Sequence, residues 1–398
     1  MATNAKAKRR PAVSRGRSTS PVGRGRRAER PLPPVPIRQF RVGRAKSADS
    51  DPVLAAAQAG LRYTPDGGPG ITRRKAGKGW SFRGSDGAPV RDEATLARIR
   101  SLAIPPAYTE VWINPDPLGH IQATGRDVKG RKQYRYHPRW NEARGETKFT
   151  RMISFAEALP ALRERIEVDL KRLGMPREKT LATVVKLLDE SLIRVGNAEY
   201  ARANESFGLT TLRDDHVEVE GGTIHFAFRG KSGKDHAIDV KDPQLARIVK
   251  KMQDLPGEEL FQYVDHDKVQ RTIGSEDVNA YLREIAGEEF TAKDFRTWSG
   301  TTIAARALRD LGPAETKTQL KAHTVAAIDR VAERLGNTRA VSRSSYVHPA
   351  VLSGYEDGTL LAFDPGPGGD VPEGLDADER WVLAYLKDRA EVSLAQAA

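Results

Sequence analysis

The chain has 398 residues, of which 38% are hydrophobic and 30% are charged, and this length is enough for two or three domains. No run approaches the roughly 20 apolar residues that a membrane-spanning helix needs, so we expect no integral membrane protein and, without an apolar segment near Met1, no secretory signal. The chain contains no cysteine, which excludes disulfides, thiolate metal sites and a cysteine nucleophile.

The formal net charge of +12 is concentrated at one end of the chain. Residues 1–50 contain 14 Lys and Arg but only two acidic residues, Glu29 and Asp49, whereas the rest of the chain holds equal numbers of basic and acidic side chains. A body that binds a polyanion must therefore do so through a local basic patch.

Residues 1–52 are rich in Arg, Pro, Gly and Ser and poor in large apolar side chains. Such a segment buries too little surface to offset the entropy lost on ordering, so we predict a disordered basic arm. Its function is open between phosphate contact by a flexible polycation and a solvated arm that only aids solubility. A mitochondrial transit peptide is a third interpretation, which the prolines between residues 31 and 36 disfavour.

Residues 53–147 contain short β-like runs, among them AYTEVWI and GHIQATG, separated by Gly, Pro and Asp turns. One segment, RDEATLARIRSL, has helical spacing. This part is predicted to be a small β-rich N-terminal domain with one or two helices.

Residues 148–363 are predicted to form a mostly helical domain, because their apolar residues recur with the period of a helix. Residues 216–240 interrupt this pattern with alternating apolar and polar side chains across two Gly-containing turns, which predicts a three-stranded antiparallel sheet. Gly336 is expected to end a helix as its C-cap.

Residues 364–398 are predicted to be a Gly- and Pro-rich linker followed by one helix. Asp376 is expected to be the N-cap of that helix, and Glu379, three residues later, to complete a capping box. The predicted fold class is therefore α+β.

Residues 126–151 form the densest local cluster of charge, with nine Lys and Arg against three acidic residues. Four aromatic residues are interleaved with these cations: Tyr134, Tyr136, Trp140 and Phe149. A bare charge run is usually a solvated surface, but cations that neutralise phosphates beside rings that pack on sugars or bases favour a nucleic-acid interface.

The segment FRGKSGKDH superficially resembles a phosphate-binding loop, because Gly230, Lys231 and Ser232 occur in sequence. The signature needs a glycine at the position of His225 and a strand-to-helix context, so no nucleotide site is predicted. The eight histidines show neither HxxxH nor HExxH spacing, so no metal site is predicted, and His348 is interpreted as structural.

Several separated blocks together resemble the type IB DNA topoisomerases of bacteria and poxviruses. The blocks IPPAYTEVWI and GRDVKGRKQYRYHPRW resemble the N-terminal domain of that family. Four further blocks resemble the catalytic domain of that family and occur in the family's order: RVGNAEYARANESFGLTTLRDDHVE, FRGKSGKDH, KDFRTW and LGNTRAVSRSSYVHP. The resemblance covers about residues 55–350, and it implies a C-shaped clamp that closes around double-stranded DNA.

The resemblance also implies a catalytic set. Tyr346 in SRSSY would be the nucleophile, and Arg194 in RVGN and Arg296 in KDFR would hold the scissile phosphate. Lys231 would be the general acid on a mobile hairpin. Asn337 stands where the family usually has His, a departure that some bacterial members share. By the same resemblance, six residues would contact DNA: Lys129, Arg131, Gln133, Tyr134, Tyr136 and Tyr200.

The chemistry of these residue types fits the implied roles. Attack by a tyrosine oxygen on a phosphodiester places extra negative charge on the nonbridging oxygens, which two guanidiniums and an amide can stabilise without a metal. The 5′-alkoxide is a poor leaving group and needs a proton donor, and the phosphotyrosyl link retains the energy for resealing without ATP. We therefore expect a monomeric enzyme without cofactors that acts on DNA in the cytoplasm, in association with the nucleoid.

Two other functions stay open. A tyrosine recombinase shares the two arginines, the lysine and the tyrosine, but recombinases usually place His three residues before the second arginine, where this chain has Lys293. A nucleic-acid-binding protein without catalysis would use the charge clusters alone, although every expected catalytic position holds a competent residue.

Overall fold

The computed structural model describes residues 52–265, 267–287, 290–366 and 371–397, without the side chains of residues 146, 147 and 393–397. The predicted basic arm lies outside the described residues except for Pro52, which begins the first helix.

The helices in chain order are α1 Pro52–Gln58, α2 Glu93–Ser101, α3 Pro138–Leu170, α4 Arg177–Ser191, α5 Ala198–Asn204, α6 Pro243–Gln253, α7 Ser275–Ala286, α8 Ala292–Leu311, α9 Lys317–Leu335, α10 Arg339–Ser345, α11 Pro349–Glu356, α12 Thr359–Ala362 and α13 Ala377–Ala397. The strands are β1 Ile71–Ala76, β2 Gly79–Arg83, β3 Thr109–Ile113, β4 Ile121–Arg126, β5 Lys132–Tyr136, β6 Val217–Glu220, β7 Thr223–Arg229, β8 Asp235–Lys241, β9 Gln262–Val264 and β10 Gln270–Thr272.

The first five strands form one antiparallel sheet in the order β2-β1-β3-β4-β5. The β-like runs of the sequence are confirmed as β3 and β4, and the predicted helix is confirmed as α2, whose N-cap Asp92 accepts a hydrogen bond from the Thr95 amide. A small core joins helix and sheet: Ile71, Ile99, Val111, Ile113 and Ala123. Strand β5 is the edge of this sheet and leads directly into α3.

Helix α3 begins at Pro138, well before residue 148, where the sequence predicted the helical domain to begin. His137 caps it through Nδ1, which accepts a hydrogen bond from the Arg139 amide at 3.2 Å, and proline fits the first helical turn. The charged side chains of its first turns hide the helical period. The predicted boundary between residues 147 and 148 therefore lies inside one continuous helix, and the division into two domains stays a prediction.

The helical body is built around α4 and α8, whose residues are largely buried in one continuous apolar core. The predicted sheet within residues 216–240 is confirmed as β6, β7 and β8, three antiparallel strands in that order. Gly336 is confirmed as a C-cap, since it ends α9 with a φ of +62°. The α+β class is thus confirmed.

Helix α13 packs on the helical body. The predicted capping box is confirmed, because the Glu379 amide donates to Asp376 Oδ1 at 2.8 Å and the Asp376 amide donates to Glu379 Oε2 at 3.0 Å. Among the helices that the structure describes, none has the length and apolar character needed to cross a membrane.

Candidate active site

Four of the five predicted catalytic residues meet in the helical body, although each comes from a different segment. Arg194 follows α4, Arg296 lies in the first turns of α8, Asn337 follows the C-cap of α9, and Tyr346 ends α10. The Arg194 Nη2 donates to the Asn337 side-chain oxygen, and the Arg296 guanidinium lies 5.4 Å from the centre of the Tyr346 ring. The structure therefore brings a phenol, two guanidiniums and an amide together.

Backbone carbonyls fix Arg296, which is only 4% exposed. Its Nη1 donates to the Leu192 carbonyl and its Nη2 to the Leu335 carbonyl at 2.7 Å. Its Nε has no hydrogen-bond partner among the described residues, and the same is true of Asn337 Nδ2. Buried N–H groups are normally paired, so these two donors point to an anionic group that completes the site.

Helix α8 also positions Tyr346. A Cβ atom on Gly300 would come within 2.6 Å of the Tyr346 carbonyl oxygen, so only glycine allows this close approach. The Thr301 hydroxyl donates to the same carbonyl at 3.3 Å, and the Tyr346 amide donates to the Ser342 carbonyl at 3.0 Å. The backbone of Tyr346 is therefore held directly against the helix that carries Arg296.

The electrostatics of the cluster suit an ionised phenol. Burial alone would raise the pKa of Tyr346, but the charges of Arg296 and Arg194 outweigh it and hold the pKa below its ordinary value. Burial, reinforced by Arg194, lowers the pKa of Arg296 to about 10. Burial likewise lowers the pKa of Arg194. Arg296 nevertheless stays cationic near neutral pH, because a pKa of about 10 lies well above 7.

The fifth residue, Lys231, lies apart from these four. It is exposed at the turn between β7 and β8, where a short 3-10 segment Lys231–Gly233 replaces a regular hairpin turn. Within the described chain, no hydrogen bond or ion pair joins its ammonium to the other four residues. The neighbouring Gly230 does line a small recess together with three arginines, Arg194, Arg296 and Arg334.

Two residues at this recess were missed by the sequence reasoning. His236 stacks on Phe228 with ring centres 5.2 Å apart, and a Cβ atom on Gly336 would approach its ring to 2.4 Å. Burial, followed by the charge of Arg194, lowers the pKa of His236. Arg334 donates to the Glu190 carbonyl at 2.6 Å. His236 is the last residue of the block FRGKSGKDH, and Arg334 directly precedes the block LGNTRAVSRSSYVHP. Only their contacts in the structure show that they lie at this recess.

The residues predicted to contact DNA lie mainly at the β4–β5 turn and along β5. Asp127 organises the turn, because it accepts hydrogen bonds from Arg131 Nε at 2.8 Å, from Gln133 Nε2 at 3.1 Å and from the Lys129 amide at 2.9 Å. Arg131 Nη1 also donates to the Tyr200 hydroxyl at 3.3 Å. The structure thus brings the turn into contact with α5 of the helical body.

Tyr134 and Tyr136 project from β5 as a stacked pair, with ring centres 5.9 Å apart. They are 41% and 39% exposed, respectively. On the same strand Lys132 forms an ion pair of 2.7 Å with Asp66. This edge of the sheet therefore presents exposed aromatic rings beside cations, the combination that binds nucleic-acid strands.

Other predictions from the sequence concern ligand sites. The Gly230–Lys231–Ser232 run connects two strands and does not precede a long helix, so it lacks the context of a phosphate-binding loop. His348 is the N-cap of α11, where its Nδ1 accepts a hydrogen bond from the Ala350 amide at 3.1 Å. Burial lowers the pKa of His348 to about 4, and nearby Lys148 adds to this shift. This position agrees with the structural interpretation of His348.

Comparison with known proteins gives two family matches. Residues 137–360 match the catalytic core of eukaryotic DNA topoisomerase I, and residues 79–127 match the N-terminal domain of bacterial DNA topoisomerase IB. A DNA topoisomerase 1B of Acanthamoeba polyphaga mimivirus is 34% identical over 297 residues, which cover 72% of this chain and 88% of that protein. The DNA topoisomerase 1B of Vaccinia virus (strain Copenhagen) is 25% identical over 260 residues, or 64% of this chain and 78% of that protein.

The two matches follow the order of the chain: the N-terminal match falls on the residues of the five-stranded sheet, and the catalytic-core match covers the helical body that carries the tyrosine–arginine cluster. The catalytic-core match covers more than half of the chain, so the chain belongs to the type IB DNA topoisomerases. It is a DNA topoisomerase I, an isomerase that acts on DNA. The resemblance inferred from the sequence is therefore confirmed.

Proposed function

We propose that this enzyme relaxes supercoiled double-stranded DNA by cleaving one strand, allowing the free end to rotate, and resealing the break. The phenol oxygen of Tyr346 attacks the scissile phosphate, the 5′ oxygen leaves, and a 3′-phosphotyrosyl link forms that religation reverses. The observation that carries this proposal is the position of Tyr346 beside Arg296 and within the charge of Arg194. In the part of the chain that the structure describes, Arg296 Nε and Asn337 Nδ2 also have no hydrogen-bond partner.

The arginines and Asn337 are proposed to bind the phosphate. Negative charge develops on its nonbridging oxygens in the transition state, and fixed donors in a partly buried site stabilise it more strongly than water does. Arg296 is held by two carbonyls and Arg194 is held by Asn337, so little reorganisation is needed when the phosphate arrives. The lowered pKa of Tyr346 favours loss of its proton during attack.

Lys231 is proposed as the general acid that protonates the leaving 5′ oxygen. Its exposure at a hairpin tip leaves its long side chain able to reorient toward bound DNA, and Gly230 beside it already lines the arginine recess. Protonation matters because an alkoxide is a poor leaving group.

The sheet edge at β5 and its turn are proposed to grip duplex DNA, with the helical body on the other side as a clamp. The contact between Arg131 and Tyr200 supports this arrangement, because it joins predicted DNA-contact residues of both parts. We propose that the enzyme acts as a monomer at the nucleoid of a bacterial cytoplasm; the match to a bacterial N-terminal domain supports that source.

The proposal predicts that Tyr346→Phe abolishes relaxation and the covalent adduct, because only the attacking oxygen is removed. Non-covalent affinity for DNA should stay within about twofold of wild type. Labelled duplex is incubated with each protein, denatured and examined for covalent complex, while plasmid relaxation is followed on a gel. A covalent adduct formed by the variant would exclude Tyr346 as the nucleophile. If wild type needed two target sites, the protein would be a recombinase. If wild type bound DNA without relaxing it, the protein would be a non-catalytic DNA-binding protein.

Relaxation is also expected to continue in excess EDTA and without ATP. The arginines supply the positive charge that a metal would provide elsewhere, and the phosphotyrosyl link keeps the energy for resealing. The measurement is the relaxation rate with EDTA, with Mg²⁺ and with ATP. Complete inhibition by EDTA that Mg²⁺ reverses would contradict the proposed chemistry.

A further inference from the structure

Lys148 on α3 reaches the segment that carries Tyr346. Its Nζ donates a hydrogen bond to the carbonyl of Ser345, the residue immediately before Tyr346. The same ammonium lies 5.9 Å from the centre of the Tyr346 ring and 4.6 Å from that of Phe149. The Tyr346 ring thus has one cation from α3 and a second, Arg296, from α8.

The surroundings of Lys148 are unusual for a lysine. Burial lowers its pKa to about 8, and the charge of Lys293 adds to this effect while Asp294 opposes it. Burying an ammonium is unfavourable unless its N–H groups are satisfied. The Ser345 carbonyl and the two aromatic rings satisfy it here, so this placement depends on the geometry of the Tyr346 segment.

The adjacent residues of α3 contact the same region. The Phe149 ring lies 4.9 Å from the ring of His348. Arg151 Nη2 donates to both carboxylate oxygens of Asp294 at 3.1 Å, and Asp294 caps the start of the helix that carries Arg296. One turn of α3 therefore contacts both the segment around Tyr346 and the start of the helix that carries Arg296.

We propose that Lys148 is a positioning residue for Tyr346, an inference that rests on the proposed role of Tyr346 as the nucleophile. Tyr346 is the C-cap of α10 and has left the helical conformation, with φ −134° and ψ −6°. The last turn of α10 alone therefore does not determine where the phenol points. The ammonium of Lys148 fixes the preceding carbonyl and flanks the ring, which restricts the phenol to one side of Arg296.

This contact also joins the segment that carries Tyr346 to the helix that follows the sheet edge proposed to bind DNA. Helix α3 begins directly after β5, which carries the stacked pair Tyr134 and Tyr136, and it runs without a break to Lys148. The proposed DNA contacts Tyr134 and Tyr136 and the positioning residue Lys148 therefore lie on consecutive elements of the chain.

The test uses two variants of Lys148. Lys148→Met keeps the apolar stem but removes the hydrogen bond and the charge, whereas Lys148→Gln keeps a polar group. Two variants are used so that the result does not depend on the folding of one of them. Single-turnover cleavage and religation are measured on an ordinary duplex and on one with a 5′-bridging phosphorothiolate. We expect both variants to slow cleavage and religation by a similar factor of about 10 to 100 on both substrates, because misplacing a reacting group by about 1 Å has this effect. DNA affinity and the covalent fraction at equilibrium should be unchanged.

Lys186→Met is the matched control. Lys186 is a partly buried lysine of α4 that pairs with Glu167 of α3 at 3.0 Å and with Glu190 of its own helix at 3.4 Å. In the described part of the chain, no hydrogen bond or ion pair joins it to Arg194, Arg296, Asn337 or Tyr346. Its loss should lower the melting temperature as much as the Lys148 variants do, yet leave the rates unchanged. Rates for the Lys148 variants within twofold of this control would overturn the inference, as would slowing confined to the ordinary phosphodiester. If Tyr346→Phe still formed the adduct, the proposed function itself would fail; if only the Lys148 variants behaved like the control, the inference alone would fail.

Discussion

At the scale of single residues, the candidate site contains two buried N–H donors that have no acceptor among the described residues. Two N–H groups of Arg296 donate to backbone carbonyls, which fixes the guanidinium. Its Nε has no hydrogen-bond partner among the described residues. Asn337 accepts from Arg194 with its oxygen and keeps its Nδ2 unpaired in the same way. In the role proposed for Asn337, this amide group would donate to a nonbridging oxygen of the phosphate. In each residue one group makes a contact within the protein, and one N–H donor stays available for the phosphate that we propose binds here.

Lys231→Ala is expected to separate general-acid catalysis from binding. Cleavage of an ordinary phosphodiester should slow by about 10²- to 10⁴-fold, whereas cleavage at a 5′-bridging phosphorothiolate should slow far less, because a thiolate leaves without a proton. Arg194→Ala is the comparison, since loss of charge stabilisation should slow both substrates. Equal losses on both substrates for Lys231→Ala would identify Lys231 as a binding residue.

At the scale of elements, one buried network fastens α13 to the helical body. Arg163 of α3 donates to both oxygens of Glu379, at 2.7 and 2.9 Å, and also forms a bidentate pair with Asp189. The indole of Trp298 on α8 donates to Glu379 at 3.0 Å. Helix α8 carries Arg296, so the C-terminal helix contacts one of the elements that form the candidate active site.

Glu379→Gln is expected to lower the free energy of unfolding by about 1.5–3 kcal/mol, the usual range for a hydrogen bond to a charged group. Burial raises the pKa of Glu379, but Arg163 outweighs it and the folded pKa lies below the ordinary 4.5. The stabilisation is therefore present above pH 4.5 and is lost as pH falls through the folded pKa. Chemical denaturation at several pH values should show the difference from wild type narrowing in acid. Asp388→Asn, an exposed change on the same helix, should shift stability by less than about 0.5 kcal/mol; a similar effect of both changes would contradict this role for Glu379.

At the scale of the whole molecule, charge and chemistry are separated along the chain. Residues 1–50 carry the entire net charge of +12, while the proposed catalytic residues lie between Arg194 and Tyr346 in a body with balanced charge. The body concentrates its cations locally, above all in residues 126–151. The excess charge and the proposed catalytic residues therefore lie in different parts of the chain.

Deleting residues 1–50 is expected to leave single-turnover cleavage unchanged and to make binding less dependent on salt. If about six cations of the arm contact phosphates, the slope of log K against log[salt] should flatten by about 5, at roughly 0.9 per contact. Relaxation should become less processive, with its optimum at lower salt. The binding constants of the two proteins are compared from low to moderate salt, and parallel lines would show that the arm makes no contact with DNA.

The sequence by itself determined the elements whose signals are local. Alternation in residues 216–240 indicated three strands, and Asp376 with Glu379 indicated a capping box. Gly336 indicated a helix end because glycine is the usual residue at a helix C-cap. The motif blocks also identified the family and the candidate residues, since each block is a short run of specific residue types. The roles assigned to those residues stay predictions.

Only the tertiary structure decided which distant residues meet. Lys148 was one of nine cations in a basic cluster, and its contact with Ser345 spans 197 positions, so no local pattern contains it. The start of α3 at Pro138 was hidden because its charged first turns follow no apolar period and Trp140 packs against α1 instead. His236 could not be distinguished from any strand histidine until α9 brought Gly336 against its ring. In each case the decisive interaction joins segments far apart in the chain, and its free energy depends on packing that the sequence does not display.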